Sequence, residues 1–289
     1  MVHAPNRGKD VSKFKPSSPA MLKFLGIDRE LRVAVGPPDA SLRLWLIEPK
    51  RVSGTSSETL QPKGTILVLH GYRASVIWLK GMGRRFAQAG YRVVMVDMRG
   101  HGRSTGDYIA YGVVESRDTR QVIDYLETQD LIAGRLGVWG ISMGAATAIK
   151  TAATDPRIDA VVAVAPYTSM RSAVPHLVQL LVPVYGWMLD EEDIDRIIDA
   201  GGREASFNPD EADPLTVITS VHAPVRFIHG KCDWIIPPSQ SRQLHAAAPD
   251  GCDLAELGWT GHISAHFSGT VARKSIEWFD RTLAADGRR

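Results

Sequence analysis

Gly140-Ile141-Ser142-Met143-Gly144 sets a serine between two glycines in the G-x-S-x-G spacing. A serine oxygen becomes a useful nucleophile when a neighbouring base takes its proton, and the base is held in one tautomer by an acid. The pentapeptide alone is weak, since chance produces it in about one chain of this length in ten. Its surroundings raise it. An apolar run through Leu136, Val138 and Trp139 precedes it, and a small-residue stretch with Ala145, Ala146 and Ala148 follows. That is a strand, a sharp turn and a helix. So tight a turn strains the serine backbone, and larger neighbours would clash, so Gly140 and Gly144 flank it. The hydroxyl is then pushed above the sheet edge. The helix start turns its unpaired N–H groups and partial positive charge towards the same place. The plain alternative is a serine in an ordinary strand–helix turn.

The elements that would position this serine alternate between strand and helix. Residues 31–35 and 41–47 read as a hairpin around Gly36-Pro37-Pro38-Asp39. Residues 65–70, 91–97, 135–140, 159–165, 225–230 and 253–258 are short apolar runs, as expected of strands buried on both faces. Helical patterns cover 76–89, 115–128, 142–153, 239–247 and 267–284. The expected fold is α/β, a mostly parallel eight-stranded sheet flanked by helices, occupying 31–289 behind a partly flexible tail at 1–30. Residues 168–223 break the alternation. An apolar stretch at 177–189, an acidic run at 190–195 and Gly201-Gly202 suggest an inserted helical lid, with the glycine pair as a guessed hinge. Leu177, Val178, Leu180, Leu181, Val182, Tyr185, Trp187 and Met188 would either face an apolar pocket or bury against the main body.

Three more segments fall in a telling order. His70-Gly71-Tyr72 ends the third strand, Asp97-Met98-Arg99-Gly100-His101-Gly102-Arg103-Ser104 follows the fourth, and Asp233 follows His229-Gly230-Lys231-Cys232. With the Ser142 elbow and a late histidine, the chain from about residue 30 onward resembles the α/β-hydrolase superfamily, nearest to its esterase, lipase and peptidase-like serine hydrolases. The resemblance implies an oxyanion hole made by the backbone N–H groups of Met143 and Tyr72, with Gly71 allowing close approach. It also implies that the loop 97–104 is a structural turn, with His101 packing or hydrogen-bonding there. The superfamily's order of serine, acid, histidine leaves His176, His222, His229, His245, His262 and His266. His262, on a loop after the last strand, is the expected base, with His266 the runner-up. Asp233 is the expected orienting acid, ahead of Asp213 and Asp253. His262 and His266 stand four apart but lack the H-E-x-x-H glutamate, so no metal and no cofactor is expected. A serine nucleophile argues against the dehalogenase and epoxide hydrolase relatives, which use aspartate.

Composition sets the outer limits. Net charge is +2 over 289 residues, with no basic stripe, so no nucleic-acid partner is expected. Arg7, Lys9, Lys13, Lys15 and Lys23 make the start of the chain basic, read as a solvated tail or a weak contact with a membrane surface. No secretory pattern and no run long enough for a membrane span are visible, which makes a cytoplasmic protein the expectation. Cys232 and Cys252, placed at opposite ends of neighbouring strands, are expected to stay unpaired. The expected activity is a carboxylesterase-like serine hydrolase, cleaving a small-molecule ester with a hydrophobic acyl or alcohol part through an acyl-enzyme on Ser142. A peptidase or amidase of the same fold, or a non-catalytic binding protein built on it, are the alternatives.

Overall fold

The computed structural model describes residues 2–10, 16–53, 56–181 and 188–283. Among them the strands β1 (Arg29–Val35), β2 (Ala40–Ile47), β5 (Gly64–Leu69), β6 (Arg92–Asp97), β7 (Arg135–Ile141), β8 (Ile158–Val164), β9 (Val225–Gly230) and β10 (Asp253–Leu257) form one sheet. Its order is β1-β2-β6-β5-β7-β8-β9-β10. β2 runs against both neighbours, and every other adjacent pair is parallel. A separate hairpin, β3 (Lys50–Ser53) with β4 (Ser56–Thr59), was not expected from the sequence.

The apolar runs are continuous because both faces of the sheet are covered. Leu67 and Leu69 point into a core shared with α3 (Val113–Thr128) and α4 (Met143–Ala152). Ile66 and Val68 point the opposite way, into a core shared with α2 (Val76–Gln88) and the C-terminal helix Gly269–Thr282. A buried ion pair crosses this zone. Arg43 on β2 donates to Asp97 through Nε at 2.8 Å and Nη2 at 2.5 Å, and both side chains are almost wholly buried. Asp97 also accepts from the backbone N–H groups of Val76 and Arg103, so one carboxylate ties β2, β6, α2 and the following loop.

Between β8 and β9 the chain is helical in α5 (Met170–Leu181), α6 (Glu191–Ala205) and the short α7 (Pro214–Val217). The acidic run is the start of α6. Asp190 caps it by accepting from Asp193 N–H, and Glu191, Glu192 and Asp193 fill the first turn, where the helix dipole favours negative charge. Arg171 of α5 reaches Asp195 and Asp199 of α6, and Asp210, at 2.7–2.8 Å. Gly201-Gly202, guessed as a hinge, lies inside α6. A Cβ at Gly202 would stand 2.6 Å from Pro209 Cδ, and one at Gly201 2.9 Å from Val2 Cγ1, so the pair serves close packing. Val178 is buried against the main core, whereas Met188 is exposed. The side chains of Leu180 and Leu181, and residues Val182, Tyr185 and Trp187, lie outside the described residues.

Part of the stretch 1–30, expected as a tail, lies against the body. Val2 and Ala4 are buried, Ala4 N–H donates to Asp107 O at 2.9 Å, and Ser17 donates to Glu30 through both backbone and hydroxyl. A short helix, α1 (Pro19–Leu25), follows. Lys13 and Lys15 fall outside the described residues, as does Ala284. Both cysteines are free thiols. Among the described residues no helix is long and apolar enough to cross a membrane.

Removing one partner of a buried ion pair leaves an uncompensated charge. Arg43→Met is therefore expected to lower unfolding free energy in urea by about 3–5 kcal/mol. An unchanged midpoint would show that Asp97 is satisfied by backbone donors alone.

Candidate active site

Ser142 joins the end of β7 to the first residue of α4, with φ 55° and ψ −120°. A non-glycine residue at such a φ is uncommon and holds strain of about 1–3 kcal/mol. The neighbours fix it there. Ser142 N–H donates to Val164 O on β8 at 2.8 Å, and Ser142 O accepts from Ala145 and Ala146 N–H. Both elbow glycines are forced by contact. A Cβ on Gly140 would overlap the Gly144 carbonyl, and one on Gly144 would overlap Leu69 O and stand 2.6 Å from His70 O. Met143 occupies the first position of α4, where a backbone N–H has no intrahelical acceptor.

Asp233 sits in the turn after β9 and is buried. Its Oδ1 accepts from Ile235 and Ile236 N–H at 3.0 and 2.9 Å, and its Oδ2 from His262 Nδ1 at 2.7 Å. His229 Nε2 stands 3.3 Å from the same Oδ2 and donates to Ile236 O, while its Nδ1 faces Ser241 Oγ at 2.6 Å. Burial alone would raise the Asp233 pKa. Hydrogen bonds from His229 and His262, the His262 charge and the Ile236 N–H outweigh it and hold the carboxyl well below the usual carboxylate range. His262 opens a one-turn helix, His262–Ala265, after β10. With Nδ1 donating to Asp233, its Nε2 is free to accept a proton. Of the expected site residues, Asp233 and His262 are thus in direct contact. His266, the runner-up base, is not bonded to Asp233; its Nδ1 faces the His262 and Ile263 carbonyls.

The loop after β5 lies against the elbow. A Cβ on Gly71 would stand 3.3 Å from Ser142 Cβ and 3.4 Å from Ile141 O. Tyr72 follows, half-buried, its ring stacked on Tyr111 with centroids 6.1 Å apart. Two buried histidines shape this loop. His70 Nδ1–H donates to Gly71 O at 2.8 Å, and its Nε2 accepts from Met98 N–H at 3.0 Å. His101 Nδ1–H donates to Arg99 O at 2.7 Å, and its Nε2 accepts from Arg73 N–H at 3.2 Å. Both rings need a bare Nε2, so both are neutral. Burial lowers the His70 pKa to about 4 and that of His101 to about 3. Sequence reasoning gave His101 a local hydrogen-bonding part but missed that it holds the loop carrying Tyr72. It also missed His229 and Ser241 behind Asp233. His101 meets Arg73 only because loops after two different strands come together in the folded sheet, and His229 meets Asp233 and Ser241 through the turn and helix after β9, a fold-back that no residue pattern marks. Among the described residues no group of three or more His, Cys, Asp or Glu is arranged to hold a metal.

Residues 60–207 match the family described as serine aminopeptidase, S33. The chain belongs to that family, and through it to the α/β-hydrolase superfamily. It is 29% identical over 199 residues to the uncharacterized protein YqkD of Bacillus subtilis, covering 67% of this chain and 64% of that one. The chain thus spans a little under two thirds of that relative's length. The Pyrococcus furiosus esterase Pf2001 superposes with TM-score 0.71 at 19% identity, covering 93% of this chain and 97% of that one. The α/β hydrolase GrgF of a Penicillium species gives TM-score 0.66 at 15% identity, covering 89% and 100%. These two likenesses are of fold.

A histidine kept neutral by burial makes stability fall as pH falls. Unfolded, His70 and His101 take up protons near their ordinary value of 6.5; folded, they resist to about 4 and about 3. Between those limits the unfolded chain binds more protons, so stability rises with pH. The slope of unfolding free energy against pH is expected to lose about one proton near about pH 5 in His101→Asn. An unchanged slope would mean that His101 titrates alike in both states. Gly144→Ala should cost about 1–3 kcal/mol, read by thermal unfolding, because its new methyl meets rigid backbone.

Proposed function

We propose that the protein is a serine hydrolase that cleaves a carboxylic ester through an acyl-enzyme on Ser142. The observation that carries this reading is the 2.7 Å hydrogen bond from His262 Nδ1 to a buried, ionised Asp233, together with the strained Ser142 elbow. His262 Nε2 takes the Ser142 hydroxyl proton as Oγ bonds to the substrate carbonyl carbon. The carbonyl oxygen becomes an oxyanion, held by the backbone N–H groups of Met143 and Tyr72. The intermediate collapses, the carbon–oxygen bond to the alcohol breaks, and the alcohol leaves with the proton from His262. Water then attacks the acyl group while His262 takes its proton. Release of the acid returns that proton to Ser142. Asp233 keeps the imidazole in the working tautomer and stabilises the imidazolium; it stays ionised throughout.

Ester over amide is supported by two observations. Pf2001, similar in fold over nearly the whole chain, is named an esterase. Trp78, Ile263 and Phe267 leave apolar surface exposed around His266, where a hydrophobic substrate part could rest. The family description favours a second reading, removal of an N-terminal amino acid from a peptide by the same residues.

A fluorophosphonate probe separates the serine chemistry from a binding-only role. Wild type should label, Ser142→Ala should not, and Asp233→Asn should hydrolyse a p-nitrophenyl ester about 10⁴-fold more slowly. A folded wild type that neither labels nor hydrolyses would rule the reading out. Turnover of aminoacyl anilides in preference to p-nitrophenyl acylates would turn it towards the peptidase.

A further inference from the structure

His266 lies four residues beyond His262 and is only 8% exposed, yet the steps above leave it unused. Its Nδ1 sits 3.3 Å from His262 O and 3.2 Å from Ile263 O. Carbonyl oxygens only accept, so Nδ1 carries the ring proton and Nε2 keeps a bare lone pair. No hydrogen bond to Nε2 is formed among the described residues. A Cβ on Gly71 would stand 3.8 Å from this Nε2 and 3.3 Å from Ser142 Cβ. The lone pair and the nucleophile therefore flank the same glycine.

The surroundings keep the ring uncharged. Burial and the neighbouring His262 lower the His266 pKa, against the raising effect of the two carbonyls and Asp233. Trp78 packs edge-on to the ring at 6.3 Å between centroids, and Phe267 lies at 6.2 Å. An acceptor at the edge of this aromatic surface, with no donor among the described residues, is open to a donor from solvent or from a bound substrate.

We propose that His266 is a specificity-determining residue whose Nε2 accepts a hydrogen bond from a hydroxyl group on the substrate, close to the scissile carbonyl. The preferred substrates are then hydroxylated esters, with the hydroxyl on either the alcohol half or the acyl half. A neutral hydroxyl fits better than an ammonium group. The site's carboxylate, Asp233, already accepts from His262, Ile235 and Ile236, and offers an ammonium group no spare acceptor. The proposal rests on the Ser142 ester reading.

Two matched pairs test it. Ethylene glycol monobutanoate against propyl butanoate places the hydroxyl on the alcohol half; ethyl β-hydroxybutanoate against ethyl butanoate places it on the acyl half. The readout is the ratio of kcat/KM within each pair, which cancels general damage to the fold. Wild type should favour the hydroxylated member of one pair by about tenfold, the value of one hydrogen bond at the upper end of its usual range. That pair identifies the half that is read. His266→Gln, which retains an acceptor oxygen, should keep part of the preference, and His266→Phe should lose it. Wild type showing no preference in either pair would overturn the proposal without any variant, as would an undiminished preference in His266→Phe. Loss of fluorophosphonate labelling in both variants would make His266 part of the proton relay and overturn it too. Failure of wild type to label at all would sink the Ser142 reading and this one with it.

Discussion

A single strained residue organises this molecule. Ser142 is held with φ 55° by β7 on one side and α4 on the other, and the same close packing decides what surrounds it. Gly144 touches the carbonyls of Leu69 and His70 because the helix start is pressed onto the end of β5. The elbow and the loop carrying Tyr72 are therefore one packed unit. Neither can shift without moving the other. The parallel strands β5, β7, β8, β9 and β10 all end at this edge of the sheet, so their following loops bring Gly71, Ser142, Asp233 and His262 to the same edge.

Around that unit, burial sorts the histidines by protonation. His70 and His101 are kept neutral by desolvation, and each uses Nδ1–H as a donor and Nε2 as an acceptor of a backbone N–H. They work as fixed connectors and not as proton carriers. Asp233 is the opposite case: its burial penalty is overcome by donors from His229, His262 and the backbone, so its charge persists. A lasting negative charge beside His262 Nδ1 is what a neighbouring imidazolium needs. Neutral and charged groups can sit this close because the Asp233 carboxylate and the His70 and His101 rings each have directed partners.

Much of this was legible in the chain. The hairpin and the apolar runs matched the eight strands of the main sheet to within two residues at each end, and the runs stood out because a strand buried on both faces permits few polar residues. The strand–turn–helix setting singled out Ser142, and chain order narrowed the base to six histidines, of which His262 was preferred for its place just after the last strand. The misses have physical causes. The β3–β4 hairpin is polar and stands outside the main sheet, so no apolar period marks it. Gly201-Gly202 was guessed as a hinge, yet α6 runs through it, with Val2 and Pro209 packed against the bare glycine faces. Val2 and Ala4 bury into the body although the sequence around them looks like a tail. His229 stood at a strand end in the sequence, with nothing to say that Asp233 would turn back onto it.

The central claim is that a covalent bond forms at Ser142 during turnover. Rapid acid quenching of the enzyme with p-nitrophenyl butanoate, followed by peptide mass mapping, reads that bond directly. The account predicts a butanoyl mass increment on the peptide containing Ser142, appearing in step with a burst of nitrophenol. Steady hydrolysis with no increment on that peptide, or an increment on another residue, would contradict it.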